Sequence, residues 1–407
     1  MYSRLFAAIS LSFGLLFTAI GGAEADEWTA IYDPTQLLSI WLNMDEQDWD
    51  TIRHDTTNEI EVQATFQATG DITPISVSVR RKSSRALPSE GNPIKVSMKV
   101  DINEFVDGQL WRGVNKLSLE NGSDVDPVSE GFAWNLHEMA WLGGYYGGSE
   151  HPGLAAWVRV YMNGEYLGVY INVEERDKQF LKNRDLWVGS PKPWIYEIDD
   201  ITGFELEEGN PHSPTYKALC WAPFNNAKKG VCPAPGDPTL TTLLPSYIDM
   251  ESMLTQGAVD AFSSNADALF THGKNFRHVD FNTGLRTYFP WDLDGAITNT
   301  SAHIYGRPSK SRFTQTAYER VILNHPVFRA QYNDILLGMT EDGTGPLSEA
   351  NLHAFLDSVE PVLAAALAED PYQPINAASH FDGLRDWATE RIDVVRSLAE
   401  ANLPAPR

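Results

Sequence analysis

The run Ile94-Lys95-Val96-Ser97-Met98-Lys99-Val100 alternates apolar and polar side chains without interruption. A two-residue period belongs to a strand with one face in a core, because successive side chains of a strand point to opposite sides. Ile94, Val96, Met98 and Val100 therefore share one face, and Lys95, Ser97 and Lys99 the other. The same alternation runs through 61–66 and 75–80. Between the strands at 75–80 and 94–100, Arg81-Lys82-Ser83-Ser84-Arg85 reads as a polar, basic turn. Further on, the apolar stretches 157–162 and 166–173 flank Asn163-Gly164, the strongest short-range hairpin signal.

Helical spacing covers 128–142, where Gly143-Gly144 stops it, and 177–183. Residues 185–245 are rich in Pro, Gly, Asn and acidic groups and read as a long irregular insertion. Beyond them 248–264 is helical and 286–290 strand-like. Helices dominate from 317 onward, most clearly at 361–367 and 384–398. The expectation is a bilobal α+β protein: a β-rich N-lobe at 26–175, the insertion at 176–247 and an α-rich C-lobe at 248–407. A chain of 407 residues is long enough for such a body.

Residues 1–25 read as a secretory signal. Arg4 supplies the positive region, 5–20 the apolar stretch and Ala23-Glu24-Ala25 the cleavage site. Cleavage near Ala25 would leave a secreted protein, extracellular or periplasmic, without stable membrane insertion, since no later segment is long and apolar enough to span. In an exported chain Cys220 and Cys232, in a loop-like stretch, are expected to form one disulfide contributing about 3 kcal/mol. The balance of 31 Lys and Arg against 55 Asp and Glu gives a net charge of −24. That charge repels phosphate backbones and argues against nucleic acid as the main partner.

Two segments concentrate chemistry. Residues 265–276 carry Asp267, His272 and Asn275, and 289–296 carry Asp292 and Asp294. Where such groups converge, hard oxygen ligands hold Mg²⁺ or Mn²⁺ while phosphate oxygens complete the shell. One further carboxylate must stay free to orient an attacking hydroxyl. Asp-Gly is also an ordinary turn pair, so Asp292 and Asp294 have a plain structural reading beside the chemical one.

With these landmarks the chain resembles the CotH-type (spore coat protein H) secreted protein kinases over nearly all of its mature length. The matching runs are Ser83-Ser84-Arg85, Pro93-Ile94-Lys95-Val96 and Asn115-Lys116-Leu117-Ser118-Leu119 with Asn121. They continue with Asn163-Gly164-Glu165-Tyr166-Leu167-Gly168-Val169-Tyr170, Val173-Glu174-Glu175, Asp267 with Asn275-Phe276, and Pro290-Trp291-Asp292-Leu293-Asp294-Gly295. The resemblance implies an atypical protein-kinase-like fold that moves the γ-phosphoryl of ATP, with Mg²⁺ or Mn²⁺, to hydroxyls of exported or surface proteins. By position it implies Asp267 as the catalytic carboxylate, Asn275 as the metal-side amide and Asp292 or Asp294 as the metal carboxylate. Lys95 is the choice for the phosphate-binding lysine, with Lys99 and Lys116 as alternatives, Arg85 as a further nucleotide contact and Glu174 at the hinge beside adenine. A monomer is expected.

Two departures from the family pattern stand out. Arg81 and Lys82 occupy the place of a Gly-bearing turn, so direct cationic contacts would replace backbone cradling of phosphate. The spacing from Asp267 to Asn275 is longer than in an ordinary kinase catalytic loop, and His272 lies between them as a candidate helper. The alternative, from another class, is a catalytically silent structural or adhesive coat protein using the same fold; nucleotide binding separates the two.

Overall fold

The computed structural model describes residues 27–89, 92–147, 151–199, 203–209, 211–219, 238–271, 273–282, 285–305 and 322–402. Residues 1–25, expected to be a signal, both cysteines and His272 lie outside the described residues. The first strands are β1 (Leu38–Asn43), β2 (Glu61–Ala68), β3 (Ile75–Ser89), β4 (Asn92–Asp101), β5 (Lys116–Glu120), β6 (Ala155–Met162) and β7 (Glu165–Val173). They form a closed barrel in the order β1-β2-β3-β4-β5-β7-β6. Their pairings are antiparallel except β1 with β6, which is parallel and closes the barrel. Ile40, Phe66, Val79, Met98, Val100 and Val160 fill its interior.

Four more strands, β8 (Trp194–Asp199), β9 (Gly203–Glu208), β10 (Phe276–Asp280) and β11 (Arg286–Pro290), make a second sheet ordered β11-β10-β8-β9. The stretch read as irregular thus contributes two strands, and β8 pairs with β10 through Trp194, Ile195, Tyr196 and Glu197. The helices are α1 (Glu27–Ala30), α2 (Glu46–His54), α3 (Pro127–Leu142), α4 (Lys178–Asn183), α5 (Pro214–Ala218), α6 (Leu240–Leu243), α7 (Met250–Phe262), α8 (Pro326–Met339), α9 (Glu349–Ala368) and α10 (Ala377–Ala401). The protein is therefore a mixed α+β fold with a β-rich first part and a helical second part. No helix among the described residues is long and apolar enough to cross a membrane.

The β6–β7 hairpin joins the two cores. Val158 and Val160 face the barrel interior, while Trp157, Ile171 and Val173 face outward into a core shared with Phe132 of α3 and with α7 to α10. A strand covered on both sides reads as a near-continuous apolar run; 155–160 is broken by Arg159 alone and 167–173 by Asn172. Asn163 and Gly164 take the positive φ values, 50° and 85°, that the tight turn needs.

Two local readings change. Residues 81–85 do not turn the chain. β3 continues to Ser89, and its register against β4 shifts between Arg81, opposite Met98, and Ala86, opposite Val96. Four residues of β3 are thus looped out against one of β4, a bulge that re-aims side chains beside the ladder. The polar face of β4 is also enclosed: Lys95 and Ser97 are as buried as Val96 and Met98 on the opposite face.

A second bulge lies in β7, where the register against β6 shifts between Val160, opposite Gly168, and Tyr161, opposite Tyr166. Gly168 has φ +117°, and a Cβ there would lie 2.2 Å from Asp370 Oδ2. Gly168→Ala combines a disfavoured backbone with a clash against a buried carboxylate. It is expected to cost about 3 kcal/mol or more, measured by urea unfolding; a loss below about 1 kcal/mol would contradict this packing.

Candidate active site

The looped-out residues of β3 carry two cations towards the helical part. Lys82 pairs with Glu120 at the end of β5, and its ammonium lies 4.6 Å from the ring centroid of Trp291. Arg85 pairs with Asp124, in the segment between β5 and α3, and approaches Asp294 Oδ2 at 3.9 Å.

Facing them are two loops of the second part. Helix α7 ends at Phe262, and the carbonyls of Ala261 and Phe262 accept from Arg391 of α10 at 2.5 and 2.9 Å. Arg391 also donates to the carbonyls of Thr300 and Ala302, both at 2.6 Å. A buried guanidinium at a helix C-terminus meets partial negative charge there, although burial still lowers Arg391 to about 10. The chain then turns through Ser264, at φ +57°. The hydroxyl of Ser264 accepts from the amides of Thr298 and Asn299, both at 3.2 Å. The loop that leads to Asp267 is thereby fixed to the loop that follows Asp294. Asn265 Oδ1 accepts from the Asp267 amide at 3.0 Å, and Lys274 Nζ lies 3.0 Å from Asp267 Oδ2.

The β10–β11 hairpin brings the remaining groups together. Phe276 is paired with Pro290, so Asn275 and Asp292 emerge side by side. Asn275 Nδ2 donates to the Asp292 carbonyl at 3.1 Å, and the Trp291 amide donates to the Asn275 carbonyl at 3.2 Å. Both Asn275 and Asp292 have positive φ, 56° and 53°, so the backbone is bent sharply where the two loops meet.

Five carboxyl groups, Glu120, Asp124, Glu130, Asp292 and Asp294, share this region with Lys82 and Arg85. The protein packed around the Asp292 carboxyl, together with Glu120, raises it to about 6 even though its edge meets solvent. Asp294 rises to about 8 through burial, its hydrogen bond to Asp124 and the charge of Asp292. Asp124 moves the opposite way, lowered chiefly by the bond from Asp294. The opposite directions are those of two neighbouring carboxyls that resist ionising together. Glu130, in the first turn of α3, is pushed well above the carboxylate range by burial and then by Glu120, Asp292 and Asp294. Among the described residues no three His, Cys, Asp or Glu side chains form a ready-made metal cage.

The family profile described as CotH kinase protein matches residues 83–395 of the chain. The chain belongs to the CotH kinase family. No curated protein matches it individually.

Among the expected CotH site residues, Asp267, Asn275, Asp292, Asp294 and Arg85 lie around this one region. Lys95 and Glu174 are engaged elsewhere. Lys95 is fully buried, and its Nζ donates to Asp370 Oδ2 at 2.7 Å. Burial lowers its pKa against the opposing pull of Asp370. Glu174 accepts both guanidinium nitrogens of Arg184, at 2.8 and 2.7 Å. Its amide donates to the Leu154 carbonyl at 2.9 Å, and its carbonyl accepts from Arg176, so both of its backbone groups are occupied within the chain. Its neighbour Glu175 meets Lys99 at 3.2 Å. Burial alone would raise Glu175, but Lys99, Arg277 and Lys82 outweigh it and hold the carboxyl at about 2. Lys116 pairs with Asp101 at 3.4 Å.

Sequence reasoning offered Lys82 as a cationic phosphate contact only together with Arg81, and it missed Glu120, Asp124, Glu130 and Lys274. Lys274 lies in the chemistry-bearing stretch itself. The three acids lie in 120–130, where the one readable signal is Asp126-Pro127, the N-cap and first residue of α3.

Proposed function

We propose that this CotH family member is a secreted, ATP-dependent protein kinase, with the barrel part and the helical part serving as N-lobe and C-lobe of an atypical kinase fold. The observation that carries the reading is the approach of Asp292 and the Asp294–Asp124 pair to Lys82 and Arg85, with Asp267 near enough for its charge to act on Asp124. A phosphotransferase needs those two charge types on opposite sides of a triphosphate. Its acceptor would be a hydroxyl side chain of an exported or surface protein.

The donor set suits Mg²⁺ or Mn²⁺: hard carboxylate oxygens, crowded enough that Asp292 and Asp294 both lie above the ordinary carboxylate range. Asp292 and Asp294 would hold the ion, on the turn that Asn275 fixes through the Asp292 carbonyl. When bound, the ion neutralises charge on the phosphate oxygens. Lys82 and Arg85 exchange Glu120 and Asp124 for phosphate oxygens, replacing one charge-assisted contact by another. Lys95 keeps its bond to Asp370 throughout. The Asp267 carboxylate orients the acceptor hydroxyl and takes its proton. The hydroxyl oxygen then bonds to the γ-phosphorus as the bond to the β–γ bridging oxygen breaks, and ADP leaves.

The first test is binding. ATP with Mn²⁺ at about 100 times the dissociation constant should stabilise the mature protein by about 2.7 kcal/mol, read as a rise in Tm that Mn²⁺ alone does not give. A Tm unmoved by the combination would turn the reading to the silent coat or adhesive protein.

A further inference from the structure

The connection between α9 and α10 lies outside every sequence motif singled out above, yet it makes an unusual set of bonds. Asp370, fully buried, accepts Lys95 Nζ of β4 at 2.7 Å and the Val169 amide of β7 at 3.0 Å through Oδ2. Through Oδ1 it accepts the amides of Tyr372 and Gln373 at 3.0 and 2.9 Å. One carboxylate thus fastens the connection to two barrel strands.

From that anchor the connection reaches the segment 121–126, which carries Asp124. Gln373 Nε2 donates to the carbonyls of Gly122 and Val125, at 3.2 and 3.3 Å, so a single amide spans Asp124 from both sides. His380 Nε2 lies 3.0 Å from Asp126 Oδ1, and Asp126 in turn caps α3 by accepting the amides of Val128 and Ser129, both at 2.9 Å. The segment's other end is tied to the same strand that holds Asp370: Asn121 Nδ2 donates to the Lys95 carbonyl at 2.7 Å. Backbone carbonyls and caps of this kind fix where a loop sits without touching what the loop binds.

We infer that the α9–α10 connection and the first turn of α10 form a positioning clamp for the active centre: Gln373 and His380 hold segment 121–126 and thereby set Asp124 against Asp294 and Arg85. Its catalytic consequence rests on the kinase reading; the clamp itself does not. Gln373 and His380 are positioning residues, since they act through the backbone and cap of that segment.

The test uses Gln373→Met, which keeps the size and removes the donor, and His380→Gln, which keeps a donor. Two readouts are taken on the full mature chain. Amide hydrogen exchange should quicken within 121–126 in Gln373→Met while that of the barrel strands is unchanged. With ATP present, the Mn²⁺ concentration for half-maximal thermal shift should rise and kcat should fall, each about tenfold as for other outer supports of a metal site. The KM for a generic acceptor protein should stay the same, and His380→Gln should stay close to wild type. Unchanged exchange in 121–126 overturns the clamp. Quickened exchange with wild-type Mn²⁺ requirement and kcat overturns its catalytic consequence. A wild-type protein that gives no ATP-dependent shift sinks the kinase reading instead, and the exchange experiment still decides the clamp.

Discussion

Asp267→Ala should retain the ATP- and Mn²⁺-dependent rise in Tm and yet transfer phosphoryl about 10² to 10⁴ times more slowly than wild type, the usual contribution of a positioned general base. Asp292→Ala should lose both. The separation follows from where the two groups sit. Asp267 stands at the end of the α7 loop with Lys274 3.0 Å away, whereas Asp292 sits on the turn that Asn275 bonds through the Asp292 carbonyl. In phosphoryl transfer the protein contributes mostly positioning and charge neutralisation. Removing the carboxylate that neutralises therefore removes binding, whereas removing the one that orients the hydroxyl removes only turnover. Asp294→Ala beside Asp292→Ala tests the second proposed ligand in the same way. Equal loss of thermal shift in Asp267→Ala and Asp292→Ala would contradict the division of roles.

Asp370→Ala should be among the most destabilising single changes in the protein, by about 3–5 kcal/mol, because it leaves Lys95 buried without its counter-charge. The deficit should also depend on pH. Burial already lowers the Lys95 pKa in the folded state with Asp370 present, and without Asp370 the depression deepens. The folded state then binds fewer protons than the unfolded chain, in which lysine titrates near 10.4. Stability consequently rises with pH until the unfolded lysine also loses its proton. Urea unfolding at pH 7 and pH 9.5 should show the deficit relative to wild type shrinking at the higher pH. A loss below about 1 kcal/mol, or one that does not change with pH, would mean that the pair contributes little.

Lys95 shows where sequence reading reaches its limit. The alternation of β4 places Lys95, Ser97 and Lys99 on one face, and the structure keeps them there. What covers that face is not written locally: the partner of Lys95 lies 275 residues further on. The nearby apolar pattern cannot report a carboxylate from a helix connection. Gly168 belongs to the same case, since its place in the Asn163 to Tyr170 run is explained by Asp370 rather than by the hairpin turn.

Other features were legible because their cause is local. Asn163-Gly164 fixes its hairpin through backbone conformation, whereas of the β10–β11 hairpin, which brings Asn275 to Asp292 across seventeen residues, only the strand at 286–290 was readable. Asp267, Asp292 and Asp294 were visible as residue types suited to the chemistry. Glu120, Asp124 and Glu130 were not, because each takes its meaning from groups that only the fold brings together: Asp124 is lowered chiefly by the bond from Asp294, and Glu130 is raised by burial and then by Glu120, Asp292 and Asp294. The basic run at 81–85 was read correctly as polar and misplaced as a turn, since a bulge and a turn both call for residues that need not pair.

The central claim is that the carboxylates facing Lys82 and Arg85 form a phosphoryl-transfer centre. It is tested most directly by incubating the mature protein with γ-labelled ATP and Mn²⁺, with and without a generic acceptor protein, beside Asp292→Ala. The account predicts label on serine, threonine or tyrosine hydroxyls with the wild-type protein and none above background with Asp292→Ala. Absence of transfer by a wild-type protein that is folded and exposed to both Mg²⁺ and Mn²⁺, or equal transfer by the variant, would contradict it.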